Sequence, residues 1–528
     1  MTRNGDNEFP LEAASEIRSS SSVARNTLWN ILGTGLPLLL ALIAFPVLIS
    51  AIGKERFGVL AIAWVILGYF GLFDLGLGRA TTRFLAGAFA RGQIAEARAL
   101  FWTSLSLNLL LGIIGGIVFA ILSPLLVVKV LAINNTLQPE SLNAFYLMAL
   151  TVPLVNLTTA VRGVLEARHR FGLLNAIQVP TSALTYLAPL LVLPFSISLT
   201  WLISALAFSR LLGIIIFLIA ALRCLETPFS GPFFARKKLR ELFSYGGWLT
   251  VSNVVGPLMV YTDRFVIGSL SSMTAVTYYS TPYEAVTRLW ALPQSLSRTV
   301  FPIFAADTAN QRAARIYKNA IKYLALILAP IVTTIIVFAP DLLHLWLGEA
   351  FVRNSTLVLQ ILAAGVLINS LALIPFTYIQ GVGRPDVTAK FHLVEAPFYL
   401  LLLWFGVQLF GIVGAATVWT IRVSIDGILL ALYVHLSGEL TVPDDEIHLP
   451  RSLTFVLLFV LSGCLISALT GSTSIKIAAW ALLLAASAYG TWRGLLVQHE
   501  RQGLYRIAGA AASWMVRIVS KNNRRGTP

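Results

Sequence analysis

Arg210 is the residue whose position demands chemistry. It sits near the middle of a run from Ser196 to Leu222 long enough to cross a bilayer, and no other charged residue occurs between Arg170 and Arg223. An arginine at the bilayer midplane costs roughly 2.5 to 3.5 kcal/mol on insertion scales and cannot snorkel to a surface from there. Its partner must be a carboxylate on another helix, water in a cavity, or an anionic ligand. A buried inter-helical ion pair and an anion-binding role are both open. Two further arginines lie deep in apolar runs: Arg288 has Glu284 one turn before it, and Arg422 has Asp426 one turn after it.

Other charges cluster nearby. Tyr261-Thr262-Asp263-Arg264 places charge near the outer end of one apolar run. The next run carries Tyr278, Tyr279, Glu284, Arg288 and Arg298 together with Pro282, Pro293 and Pro302. A lipid-facing helix would not carry this set, so that run is expected to line a cavity, and its prolines either break it or kink it for packing. Asp74 and Arg79 close an earlier run in Phe73-Asp74-Leu75-Gly76-Leu77-Gly78-Arg79. Arg79 and Arg83 read as positive-inside anchors or as ligands at a cavity mouth. Gly112-x-x-x-Gly116 is a helix-packing motif.

Several chemistries find no support. The six histidines form no His-Glu-x-x-His pattern, and Cys224 and Cys464 suggest neither disulfide nor metal, so no metal site is expected. There is no Walker A sequence. Asp444-Asp445-Glu446 reads as a solvated turn rather than the acidic pair of a glycosyltransferase. The chain is therefore not expected to be an enzyme, and no cofactor is implied; a proton or sodium ion is the candidate coupling ion.

The elements that must position these residues are transmembrane helices. Of 528 residues, 57% are hydrophobic and 12% charged, with a mean hydropathy of +0.79, which a soluble fold of this length could not keep on its surface. The apolar runs have helix-spanning length and lack the alternation of barrel strands, so the fold class is an all-α polytopic membrane protein. Apolar runs predict fourteen spans. They cover Leu28 to Ile52, Phe57 to Gly78, Phe101 to Leu122, Asn143 to Leu165, Leu174 to Phe195, Leu199 to Leu222, Phe243 to Gly268, Ala275 to Phe304, Tyr323 to Ala339, Leu357 to Ile379, Phe391 to Phe410, Ile412 to Leu436, Leu453 to Leu469 and Ile475 to Trp492. Placing both termini in the cytosol puts most of the 39 Lys and Arg inside, among them Arg168 and Arg170, Arg236 to Arg240, and Arg312 to Lys322. Lys54, Arg56, Lys129, Arg264, Arg353 and Lys476 then fall outside. The net charge of +15 follows from this asymmetry and from anionic lipid, without nucleic acid.

A shift of about 219 residues lays Trp29 on Trp248 and Arg79 on Arg298, and a slightly shorter one lays Arg210 on Arg422. Six spans per repeat relate the halves by an axis along the membrane normal, an arrangement suited to rocking one lobe against the other. The expected division is a disordered cytosolic tail (1–27), an N-lobe (28–222), a basic linker (223–242), a C-lobe (243–436), a cytosolic loop (437–452), two extra C-terminal helices (453–492) and a basic cytosolic tail (493–528).

The stretch Tyr69-Phe70-Gly71-Leu72-Phe73-Asp74-Leu75-Gly76-Leu77-Gly78-Arg79-Ala80 resembles the second helix of oligosaccharide and polysaccharide flippases of the Wzx type. So do Gly246-Gly247-Trp248-Leu249 with Asp263-Arg264, Leu345-Trp346-Leu347-Gly348-Glu349, Gln380-Gly381-Val382-Gly383-Arg384-Pro385-Asp386, and Phe410-Gly411-Ile412-Val413-Gly414-Ala415-Ala416 with Arg422. The family belongs to the superfamily of MATE exporters and the lipid II flippase. The resemblance implies a bacterial inner-membrane carrier moving undecaprenyl-pyrophosphate-linked oligosaccharide to the periplasmic face, with the lipid bilayer, a polysaccharide polymerase and a chain-length regulator as partners. On that expectation Arg210, Arg288 and Arg422 form a cationic cavity, Arg79 and Arg298 guard its cytosolic mouth, and Asp74, Asp263, Glu284 and Asp426 are ion-pair or coupling acids. The extra helical pair resembles the two that give the lipid II flippase a groove for a lipid tail. A MATE-like exporter of cations and an integral-membrane polymerase or ligase are the alternatives. The outer loops Pro124 to Leu142 and Pro340 to Thr356 are short for the latter.

Overall fold

A computed structural model describes residues 20–70, 77–168, 170–225, 259–306, 311–437, 449–469, 472–496, 498 and 500–502. Its described secondary structure is helical. In chain order the helices are α1 Ser20–Phe70, α2 Leu77–Ala90, α3 Ile94–Leu125, α4 Gln138–Ala167, α5 Phe171–Val192, α6 Leu199–Cys224, α7 residues 259–270, α8 Met273–Thr287, α9 Ala291–Ala306, α10 Gln311–Val337, α11 Ala339–Leu347, α12 Glu349–Gly381, α13 Pro385–Leu436, α14 Leu449–Leu469 and α15 Thr473–Gly490. Among the described residues eight helices are long and apolar enough to cross a membrane, so the protein is an all-α polytopic membrane protein.

Two helical runs reverse at single glycines. In α1, Gly53 has φ 79° and ψ 162°, a conformation open essentially to glycine alone. The reversal brings Phe45 and Trp64 into a stack with ring centroids 5.6 Å apart, although 19 residues of straight helix would separate them by about 28 Å. In α13, Gly411 has φ 58°, and beyond it Gly414 lies backbone to backbone against Gly406. A methyl on Gly414 would collide with the Gly406 carbonyl. Gly414→Ala is therefore expected to cost about 1–3 kcal/mol, read as a lower thermal unfolding midpoint in detergent.

The expected eighth span is interrupted just ahead of Pro293, which has no N–H to give the Leu289 carbonyl four residues back. Pro282 lies within α8, and the break is the single 3-10 turn Arg288–Trp290. The expected outer loop from Pro340 is also largely helical. Pro340 and Asp341 suit the first turn of α11, Gly348 at φ 82° ends it, and α12 begins at once at Glu349.

The described residues pack as two compact units. The first contains the described residues up to Arg288 together with His392–Val418. Here Leu85, Phe101, Val161, Val164, Leu165 and Phe217 form a core shared by α2, α3, α4 and α6. Gly112 and Gly116 seat α3 on Pro153 and Ala149 of α4, where an added Cβ would come within 2.6 and 2.7 Å of backbone atoms. The second unit contains the remaining described residues from Leu289 onward, and its centre is α10 packed against α12 and α14. Gln360 of α12 donates to Ser467 of α14 and to the Ile336 carbonyl, both at 2.9 Å. Two ion pairs fasten the C-terminal helices: Lys476 to Asp341 at 3.4 Å, and Lys322 to Glu500 at 2.9 Å. Lys322, counted from the sequence among the basic residues placed inside, is fully enclosed within α10.

Candidate functional site

Four helices of the first unit bring the deep charges to one place. The side chain of Ser272 caps α8 by accepting from the Ala275 N–H at 3.1 Å, which fixes where the helix begins. The helical period places Glu284 and Arg288, four residues apart, on one face with 3.2 Å between charged atoms. Arg288 stands at the very end of α8, where the helix tightens into its 3-10 turn. Its Nη2 also donates to the Tyr186 hydroxyl of α5 at 2.5 Å.

Glu284 serves a second arginine. Arg264 of α7, 1% exposed, donates to it at 3.0 Å and lies 3.5 Å from the adjacent Asp263. Asp263, fully buried, accepts from the Arg264 backbone N–H at 2.7 Å and from the Tyr279 hydroxyl at 2.6 Å. The Tyr283 ring lies 4.3 Å from the Arg264 guanidinium carbon, a cation–π distance. The charges are thus chained from Asp263 through Arg264 and Glu284 to Arg288.

Arg210 stands outside that chain. It faces the same cavity of about 400 Å³, lined also by Trp64, Tyr186, Arg264, Glu284 and Arg288. Its Nη2 donates to the Thr185 hydroxyl at 3.4 Å, a long contact. Its Nε is enclosed and has no hydrogen-bond partner, and no carboxylate pairs with it among the described residues. One wall is aromatic: Phe45, Trp64 and Tyr186 pack with centroids 5.6 to 6.0 Å apart. The cavity combines a guanidinium with spare donors, two arginines already paired, and flat rings. It can hold an anion by charge-assisted hydrogen bonds and stack a flat or ring-shaped group beside it.

Of the residues singled out in the sequence, the structure brings Arg210, Arg288 and Glu284 together at the cavity, with Asp263 one bond behind. Arg422 and Asp426 lie in the part of α13 beyond Gly411, in the second unit, with Asp426 buried and Arg422 partly so. Arg298 is exposed on α9 of that unit. Arg79 belongs to α2, and Asp74 lies outside the described residues. Arg264, counted from the sequence as an outer-loop charge, is corrected: it is buried, because Asp263 and Glu284 compensate it there. Sequence reading also missed Thr185, Tyr186 and Trp64. An adjacent acid and base inside an otherwise apolar segment was the available signal for Arg264.

Residues 23–306 match the family described as polysaccharide biosynthesis protein. Over 409 residues, 78% of this chain, the sequence is 32% identical to a Shigella flexneri protein named "Putative O-antigen transporter", of which it covers 97%. The chain belongs to the polysaccharide biosynthesis protein family. This family member also shares its fold with solved structures. The lipid II flippase MurJ in an inward closed conformation matches with a TM-score of 0.68 and 13% identity, over 88% of this chain and 99% of that one. An inward-facing MATE family multidrug resistance transporter of the MOP superfamily matches with a TM-score of 0.64 and 14% identity, over 78% and 98%. The resemblance drawn from the sequence thus holds at the level of the polysaccharide biosynthesis protein family, and the solved structures show a shared fold.

Proposed function

We propose that this family member is a flippase that moves an undecaprenyl-pyrophosphate-linked oligosaccharide from the cytosolic to the periplasmic face of a bacterial inner membrane by alternating access. The observation that carries the reading is Arg210, a membrane-depth cation facing a cavity with no carboxylate to neutralise it among the described residues. The name of the Shigella flexneri relative supports an O-antigen-type cargo. Moving a pyrophosphate outward is electrically downhill in a cell negative inside, by about 2.3 kcal/mol per charge per 100 mV, so the barrier to lower is desolvation. Guanidinium donors replace water around the phosphates, while Trp64 and Tyr186 offer faces to sugar rings. Arg79, Arg298 and Arg422 are assigned to the same anion path from the sequence repeat. The proposal includes fourteen spans, two parallel six-span halves with an added C-terminal pair, and cytosolic termini.

A cation exporter would need an available carboxylate. Glu284 accepts from both Arg264 and Arg288, and Asp263 from Arg264 and Tyr279, so the acids of this cavity are already engaged. The decisive experiment is loss of the protein in its own cell. Export of surface polysaccharide should stop and lipid-linked units accumulate on the inner face. Unpolymerised units on the outer face would instead assign the defect to a polymerase or ligase and sink the proposal.

A further inference from the structure

At the end of the first unit where α4, α5 and α6 meet is a second cavity, of about 550 Å³. Three arginines line it, and each belongs to a helix end: Arg168 follows α4, Arg170 precedes α5, and Arg223 is in the last turn of α6. The Arg168 guanidinium stacks on the Phe89 ring at 4.2 Å, which holds it in place. No carboxylate lines the cavity, and neither Arg170 nor Arg223 has an ion-pair partner among the described residues. Arg170 forms no side-chain cap on α5, so the first N–H groups of that 22-residue helix add their partial positive charge at the same end.

The remaining wall is apolar. Leu173 of α5 and Ile216 and Ile219 of α6, a helix long and apolar enough to cross a membrane, line the cavity and are each 40% or more exposed. A site for a water-soluble anion would have no use for such a wall. A cluster of guanidinium groups beside a laterally open apolar face matches a molecule that is anionic at one end and hydrocarbon at the other, and its volume falls within the roughly 300 to 1,000 Å³ typical of small-molecule sites.

We propose that this cavity binds an anionic glycerophospholipid, with its phosphate held by Arg168, Arg170 and Arg223 and an acyl chain lying along Leu173, Ile216 and Ile219. The site is separate from the Arg210 cavity and does not depend on what that cavity carries.

The test is native mass spectrometry of the purified full chain, offered equal amounts of phosphatidylglycerol and phosphatidylcholine. Phosphatidylglycerol should be retained in preference, and Arg168→Gln, Arg170→Gln and Arg223→Gln should each weaken its retention about fivefold, the contribution expected of one basic residue at an anionic lipid surface. Inorganic phosphate should not compete at equal concentration. Equal retention of the two lipids by the unaltered protein overturns the proposal, and that measurement needs no variant to fold. Binding of inorganic phosphate as tight as that of phosphatidylglycerol overturns it as well, by assigning the site to a soluble anion.

Discussion

Arg264→Ala is expected to destabilise the first unit by about 3–5 kcal/mol, the cost of stripping the counter-charge from buried acids. Arg264 is the only cation within 4 Å of Asp263 among the described residues, and it shares Glu284 with Arg288. Its removal leaves Asp263, fully buried, with only neutral donors such as the Tyr279 hydroxyl. The effect should appear as a drop of several degrees in the thermal unfolding midpoint in detergent and as poor accumulation in the membrane. The combined change Asp263→Asn and Arg264→Met should recover much of the loss, since it removes the buried pair together and leaves Glu284 paired with Arg288. A single Arg264→Ala variant that unfolds at the wild-type temperature would show that the ion pairs are not what holds α7 to α8.

Arg210 should behave in the opposite way. No carboxylate depends on it among the described residues, so Arg210→Ala should leave the unfolding midpoint unchanged or raise it, because a membrane-depth charge disappears. Export of surface polysaccharide should nevertheless fall at least about tenfold, the equivalent of one lost charge-assisted hydrogen bond. Arg210→Lys should restore charge but little transport, since a lysine cannot present a planar fork to a phosphate. The measurements are the amount of surface polysaccharide and the amount of protein in the membrane. If both variants export normally at normal abundance, Arg210 has no part in the cargo path.

The two expectations differ because of what each sequence pattern can reveal. Arg210 and the Glu284–Arg288 pair were legible because a charge inside an apolar run is costly wherever the run folds. The reversal at Gly411 was legible too, since Phe410 and Ile412 flank it as the ends of two runs. Arg264 was misread because it lies only four residues before Gly268, where the run was expected to end, and its burial depends on Glu284, 20 residues away on the next helix. The Tyr186 hydroxyl meets Arg288 across 102 residues, and helical periodicity says nothing about which faces of two helices meet. The partner of Lys322 was hidden for the same reason, since Glu500 lies 178 residues further on.

That last pair has a consequence for how the protein is made. Lys322 is fully enclosed and Glu500 nearly so, and the Tyr323 hydroxyl also donates to the same carboxylate. On a ribosome, α10 is synthesised long before Glu500 emerges, so throughout that interval a lysine in the body of the second unit awaits its counter-charge. The unit can begin to assemble as it is threaded into the membrane, but its electrostatics close only when the chain beyond α15 arrives. A product truncated ahead of Glu500 would carry an uncompensated ammonium at the heart of α10, a defect that membrane quality control could recognise before any cargo is met.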